Sequence, residues 1–232
     1  MKTQLILLPG TLNDEELWRA QVTGLSDFAD CVVADLSKGE TLMELAESVL
    51  ATARPSFALA GFSLGGFVAL EIARLAPSRI ERLALLDTSM RADTPKRVAE
   101  RQALDRAARA SGTFVGINRR MLAEFVHPDR LDDSDLTLRI QEMTRRLGRD
   151  VFLRQNAIAR TGGEQALRDL RCPILILCGA QDAIAPVKLH REMAAAAPQA
   201  KLVIIDGSGH MTPMEKPGEV TAAMRDWLVE AG

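Results

Sequence analysis

Residues 57–73 read FALAGFSLGGFVALEIA. Phe57 to Ala60 form an apolar run of a length suited to a fully buried strand. Gly61-Phe62-Ser63-Leu64-Gly65 follows, and apolar residues then recur at helical spacing from Leu64 to Leu75, ahead of Pro77. A serine therefore stands between two glycines where a strand turns into a helix. Small neighbours two residues to either side relieve the crowding of a sharp turn that projects a hydroxyl. The helix starting there offers free N–H groups and a positive dipole end to negative charge developing beside the serine. Ser63 is the candidate nucleophile, and its rival reading is a serine in an ordinary tight turn.

Working outward, short apolar runs at residues 5–8, 31–34, 83–86, 174–178 and 202–205 repeat the strand form. Helical segments follow most of them, at residues 15–25, 41–53, 187–197 and 220–230. Thr41 is the expected N-cap of the second of these, with Glu44 at capping-box spacing. Buried strands alternating with helices predict an α/β fold with a mostly parallel central sheet of about six strands and helices on both faces. Between residues 91 and 168 the pattern changes. Segments 95–110, 114–126, 134–147 and 150–160 have helical character and no strand intervenes. The expected organisation is a sheet core from 1–90 and 169–232, with 91–168 inserted as a helical cap.

At 232 residues the chain suits one well-buried domain. A formal net charge of -2 argues against a polyanionic partner, and the absence of Tyr, with only 7 Phe and 2 Trp, leaves few platforms for stacking nucleic-acid bases. Cys31, Cys172 and Cys178 are odd in number and unclustered, as expected of free thiols in a reducing compartment. No run approaches a membrane span or a signal peptide, so the expectation is a cytoplasmic protein without a membrane partner. Monomer and homodimer are equally compatible with the sequence. Charge is uneven, because residues 91–160 carry 15 Lys/Arg against 10 Asp/Glu. Arg119, Arg120, Arg145 and Arg146 either hold an anionic group of a substrate or belong to solvated helix faces.

A serine hydroxyl needs a base. Of three histidines, His127 precedes a proline inside the insertion and reads as a loop or surface residue. His190 lies near the start of a sheet-flanking helix and reads as solvated or capping. His210 follows the 202–205 strand through Asp206-Gly207-Ser208-Gly209, at the same sheet edge as Ser63, and is the candidate base. An acid must hold the imidazole. Asp182, after the 174–178 strand, is preferred, with Asp87 and Asp206 as rivals. Leu12, Phe62, Met90, Met211 and Met214 lie beside these loops, where they either line an acyl pocket or pack the cap on the core. No metal-ligand cluster or dinucleotide motif is apparent, so no cofactor is expected.

The order Ser63, Asp182, His210, the elbow Gly61–Gly65, Gly179-Ala180-Gln181-Asp182 and Gly209-His210 resemble the α/β-hydrolase family, and within it the small cap-bearing serine esterases. The resemblance spans nearly the whole chain. It implies acyl transfer to Ser63, an acyl-enzyme, and an oxyanion hole made by the backbone N–H groups of Thr11 and Leu64. Where the family customarily has His-Gly before that loop, this chain has Pro9-Gly10. The family's two usual N-terminal strands are not expected in the sheet, the 5–8 run resembling the strand just before that loop. The resemblance implies a small-molecule carboxylic ester as substrate. It leaves open a lactone, a thioester, a C–C bond, cofactor-free haloperoxidase chemistry, and a non-catalytic ligand-binding role on the same scaffold.

Overall fold

A computed structural model describes residues 2–110 and 112–229. Six strands form one sheet: β1 (Thr3–Leu8), β2 (Ala29–Val33), β3 (Phe57–Phe62), β4 (Ile80–Leu86), β5 (Ile174–Gly179) and β6 (Ala200–Ile205). Their order is β2-β1-β3-β4-β5-β6, with every pairing parallel. The chain runs from β1 outward to β2, then returns to the other side of β1 for β3. The carboxyl ends of β1 and β3 thus flank the point where winding reverses, the usual crevice of an open parallel sheet.

The helices are α1 (Glu15–Leu25), α2 (Leu42–Thr52), α3 (Leu64–Leu75), α4 (Pro95–Ala110), α5 (Arg119–Phe125), α6 (Ser134–Ala157), α7 (Glu164–Asp169), α8 (Val187–Ala196), α9 (Thr212–Glu215) and α10 (Pro217–Val229). Strand residues alternate between two cores. Ile6, Leu8, Leu59, Leu83, Leu85 and Ile176 face one layer with α2, α3, α7 and α8. Leu5, Leu7, Ala58, Ala60, Leu175 and Leu177 face the other, around Trp18 and Trp227 of α1 and α10. Period-two alternation with both faces buried is why these strands read as unbroken apolar runs. Among the described residues no helix is long and apolar enough to cross a membrane.

Helices α4, α5 and α6 lie between β4 and β5 as the inserted cap, and α7 packs on α3 of the core. The cap differs from its sequence reading in three places. Residues 114–118 are not helical, because Asn118 caps α5 by accepting the Met121 N–H at 3.0 Å and Gly116 has φ 69°. Segments 134–147 and 150–160 are the two halves of α6, re-aimed at Gly148, whose φ of 81° suits glycine. The second half stops at Ala157. The first strand after α1 also begins earlier than expected, at Ala29 opposite Thr3. Thr41 caps α2 as expected, accepting from the Glu44 N–H at 3.1 Å, while the Glu44 carboxylate reaches back to the Glu40 N–H rather than to that of Thr41.

Candidate active site

Ser63 links β3 to α3 with φ 50° and ψ -113°, a strained conformation for a residue with a side chain. The glycines leave room for it. A Cβ on Gly61 would stand 2.3 Å from the Gly65 carbonyl oxygen, and one on Gly65 would stand 2.2 Å from that of Leu8. The elbow is packed backbone to backbone against itself and the end of β1. Its position is held by the Ser63 N–H donating to the Leu86 carbonyl at 3.0 Å and by the Thr88 hydroxyl donating to the Ser63 carbonyl at 2.7 Å.

His210 presents Nε2 to the Ser63 hydroxyl at 3.2 Å and Nδ1 to Asp182 Oδ2 at 2.8 Å. The ring is buried between Phe62 and Phe125, with centroids 5.1 and 5.7 Å away. Asp182 Oδ1 accepts the N–H groups of Ile184 and Ala185 at 2.8 and 2.9 Å. Burial works to raise the Asp182 pKa, but the His210 ring and those two N–H groups outweigh it and hold the carboxyl below its ordinary range. An ionised Asp182 fixes the Nδ1–H tautomer and leaves Nε2 free to accept the serine proton. The three side chains form a triad of the serine-hydrolase type.

The two rival acids have other partners. Asp87 is fully buried at φ 46°, with Oδ1 accepting the Gly179 N–H at 3.0 Å and Oδ2 bonded to the Thr212 hydroxyl. Burial, and then the neighbouring Asp182 charge, push its pKa well above the usual carboxylate range. Asp206 accepts from the Gln181 side chain at the surface. Asp87, Asp182 and His210 bring ligand-type atoms within 4.8 Å of one another, yet these atoms are already engaged with each other and with the donors just described.

His190 is not solvated, contrary to its sequence reading. It is wholly buried, with Nε2 accepting the Thr88 N–H at 3.1 Å. Burial brings its pKa down to about 4, so the ring is neutral at ordinary pH. His127 caps a short 3-10 turn, accepting the Asp129 N–H on Nδ1.

The loop after β1 is a four-residue turn in which the Asn13 N–H donates to the Gly10 carbonyl at 3.2 Å. Among the described residues the Thr11 N–H donates to no acceptor, and the Leu64 N–H, at the first position of α3, has none within its helix. Leu12, Phe62, Met90 and Met211 are all buried. Phe62 and Met211 belong to the core layer around Trp18, and Met90 belongs to the opposite one.

Three contributors were absent from the sequence reading. Gln155 of α6 accepts the Leu12 N–H at 2.8 Å. The Phe125 carbonyl accepts the N–H groups of His210 and Met211 at 2.8 and 3.1 Å. Glu215, buried in α9, accepts the N–H groups of Met211 and His127 at 3.0 and 2.7 Å and ties the histidine loop to the cap. Apart from the local Glu215–Met211 contact, each acts on backbone of a distant segment, which leaves no local pattern to read. Arg119, Arg120, Arg145 and Arg146 are exposed, with Arg146 paired to Asp14 at 2.7 Å and Arg119 to Asp132 at 3.2 Å.

A family model described as the alpha/beta hydrolase family matches residues 5–224. A dihydrolipoyllysine-residue acetyltransferase component of an acetoin cleaving system from Pseudomonas putida is 28% identical over 97% of this chain, which spans 63% of that protein. A pimeloyl-[acyl-carrier protein] methyl ester esterase from Vibrio parahaemolyticus is 28% identical over 96% of this chain and 93% of its own length. Among solved structures, a thermophilic esterase from Thermogutta terrifontis superposes with a TM-score of 0.89 and 28% identity, covering 98% of this chain and 90% of that one.

Proposed function

This chain belongs to the α/β-hydrolase family, and from that premise we propose that it is a serine hydrolase of small-molecule carboxylic esters. The observation that carries the proposal is the unbroken hydrogen-bond path from the Ser63 hydroxyl through His210 to Asp182, at 3.2 and 2.8 Å. The esterase names among its relatives support it.

In the proposed cycle His210 Nε2 removes the Ser63 proton as the oxygen attacks the ester carbonyl. The N–H groups of Thr11 and Leu64 receive the oxyanion. Protonated His210 gives its proton to the departing alcohol, leaving an acyl-Ser63. Water then attacks that acyl group, losing its proton to His210, and the acid departs with Ser63 restored. Backbone donors do not depend on side-chain identity, so Pro9 in place of the customary histidine is compatible with this chemistry. Leu12, Phe62, Met90 and Met211, adjacent to the oxyanion donor, nucleophile, β4 end and base, are proposed to receive the acyl group.

The test is intact-protein mass after brief exposure to a fluorophosphonate. A single adduct on the wild type, absent in Ser63→Ala and strongly slowed in His210→Ala, is expected. A folded wild type that takes no adduct would refute the proposal. An ester panel of graded acyl size then defines the pocket.

A further inference from the structure

We propose that Gln155 of the cap is a positioning residue for the oxyanion hole, fixing the Thr11–Leu12 peptide and through it the turn whose preceding Gly10–Thr11 peptide carries the Thr11 N–H towards the reacting carbonyl. The inference rests on the ester-hydrolase reading and concerns a residue on an element remote in sequence from the triad.

The turn Gly10-Thr11-Leu12-Asn13 has positive φ only at its third residue, Leu12, at 55°. That is the signature of a type II turn, where glycine is the usual occupant, because a Cβ makes the left-handed region costly. A turn with leucine at this place would ordinarily favour type I, in which the middle peptide is flipped over. The middle peptide here is Thr11–Leu12, and its N–H is the one Gln155 Oε1 accepts at 2.8 Å. Flipping it would break that bond and bring the Thr11 carbonyl oxygen towards the Gln155 amide oxygen. Gln155 therefore supplies the bias towards this turn that glycine would otherwise provide by removing the Cβ penalty.

The glutamine is itself held. Its Nε2 donates to the Leu36 carbonyl at 3.0 Å, so the amide orientation follows from both partners, and the residue is buried. Arg154, one position earlier, donates to the Ser37 carbonyl. The second half of α6 thus grips the loops after β1 and β2 together, and the break at Gly148 aims it there. A donor displaced by about 1 Å costs about 100-fold in rate, so a loosened turn affects turnover without removing any group that touches substrate.

The test uses Gln155→Met, which keeps volume and removes both hydrogen bonds, and Gln155→Glu, which keeps an acceptor for the Leu12 N–H. Active sites are titrated with the fluorophosphonate, and kcat and KM for a p-nitrophenyl ester are taken per titrated site. Affinity is measured for a trifluoromethyl ketone, whose hemiketal carries an oxyanion. Gln155→Met is expected to lower kcat about 10- to 100-fold at nearly constant KM. It should weaken the ketone by a similar factor, and Gln155→Glu should recover most of both. Wild-type kcat and ketone affinity per site in Gln155→Met would overturn the proposal, as would a loss confined to KM or to thermal stability. Should Gln155→Met not fold, Gln155→Asn, one methylene short of Leu12, is read by the same criteria. A wild type with neither adduct nor turnover would instead indict the ester-hydrolase reading.

Discussion

Lowering the pH should unlatch His190 and cost the fold a definite amount of free energy. Its Nε2 accepts the Thr88 N–H, its Nδ1 faces the Pro186 carbonyl, and no part of it reaches solvent. Burial lowers the pKa from 6.5 to about 4, opposed by the Asp182 charge and Pro186 and assisted by His210. The unfolded chain thus binds a proton that the folded one refuses between these values. Stability from this residue is whole above pH 6.5, falls as pH drops towards 4, and is level below that. At 1.36 kcal/mol per pKa unit the full window is worth about 3 kcal/mol, and about 2.5 kcal/mol is lost by pH 4.5. The assay is urea unfolding of wild type and His190→Gln at pH 7.5 and 4.5. The glutamine amide can still accept the Thr88 N–H but does not titrate, and the remaining carboxylates and histidines cancel in the difference. The wild type should lose about 2.5 kcal/mol more than the variant. Equal losses, or an NMR titration of His190 near 6.5, would refute the reasoning.

Asp182→Asn should cut kcat by about 10,000-fold by presenting the wrong tautomer of His210. Asp87→Asn, which keeps an acceptor for the Gly179 N–H and removes a buried carboxyl beside Asp182, should keep most activity and stability at pH 7, as assayed by ester turnover and melting. Gly65→Ala drives a methyl into the Leu8 carbonyl and should abolish the elbow, read as loss of both fluorophosphonate labelling and soluble yield. Arg146→Ala removes a half-exposed pair with Asp14 and should cost about 0.5 kcal/mol, less in high salt, by chemical denaturation.

How much of this was legible beforehand depended on whether the cause was local. The elbow announces itself because the crowding at Gly61 and Gly65 comes from residues within the same turn and the adjacent strand. The strands were visible because both faces are buried, and the triad because parallel strands deliver their carboxyl-end loops to one edge. His190 reads as a surface residue because its own helix shows ordinary amphipathic spacing, whereas its partner Thr88 lies in the loop after β4, about 100 positions away. Residues 114–118 read as helix because apolar Phe114, Val115 and Ile117 mimic helical spacing; the Asn118 cap overrides them. The basic cap was ambiguous for a further reason. Arg139 and Arg146 pair with Glu16 and Asp14 of the core, so part of the imbalance is complementarity between two layers.

The cap accepts hydrogen bonds from the backbone of both catalytic loops, from Leu12 by the Gln155 side chain and from His210 and Met211 by the Phe125 carbonyl. A cap that swung away as a rigid body would have to break these bonds together. Opening would then be a rare, cooperative event on the timescale of sub-global unfolding rather than a step repeated in every turnover. In hydrogen exchange, the amides of Leu12, His210 and Met211 should form one protected group with a common opening free energy. Substrate would reach Ser63 by side-chain breathing on far faster timescales, with the cap in place.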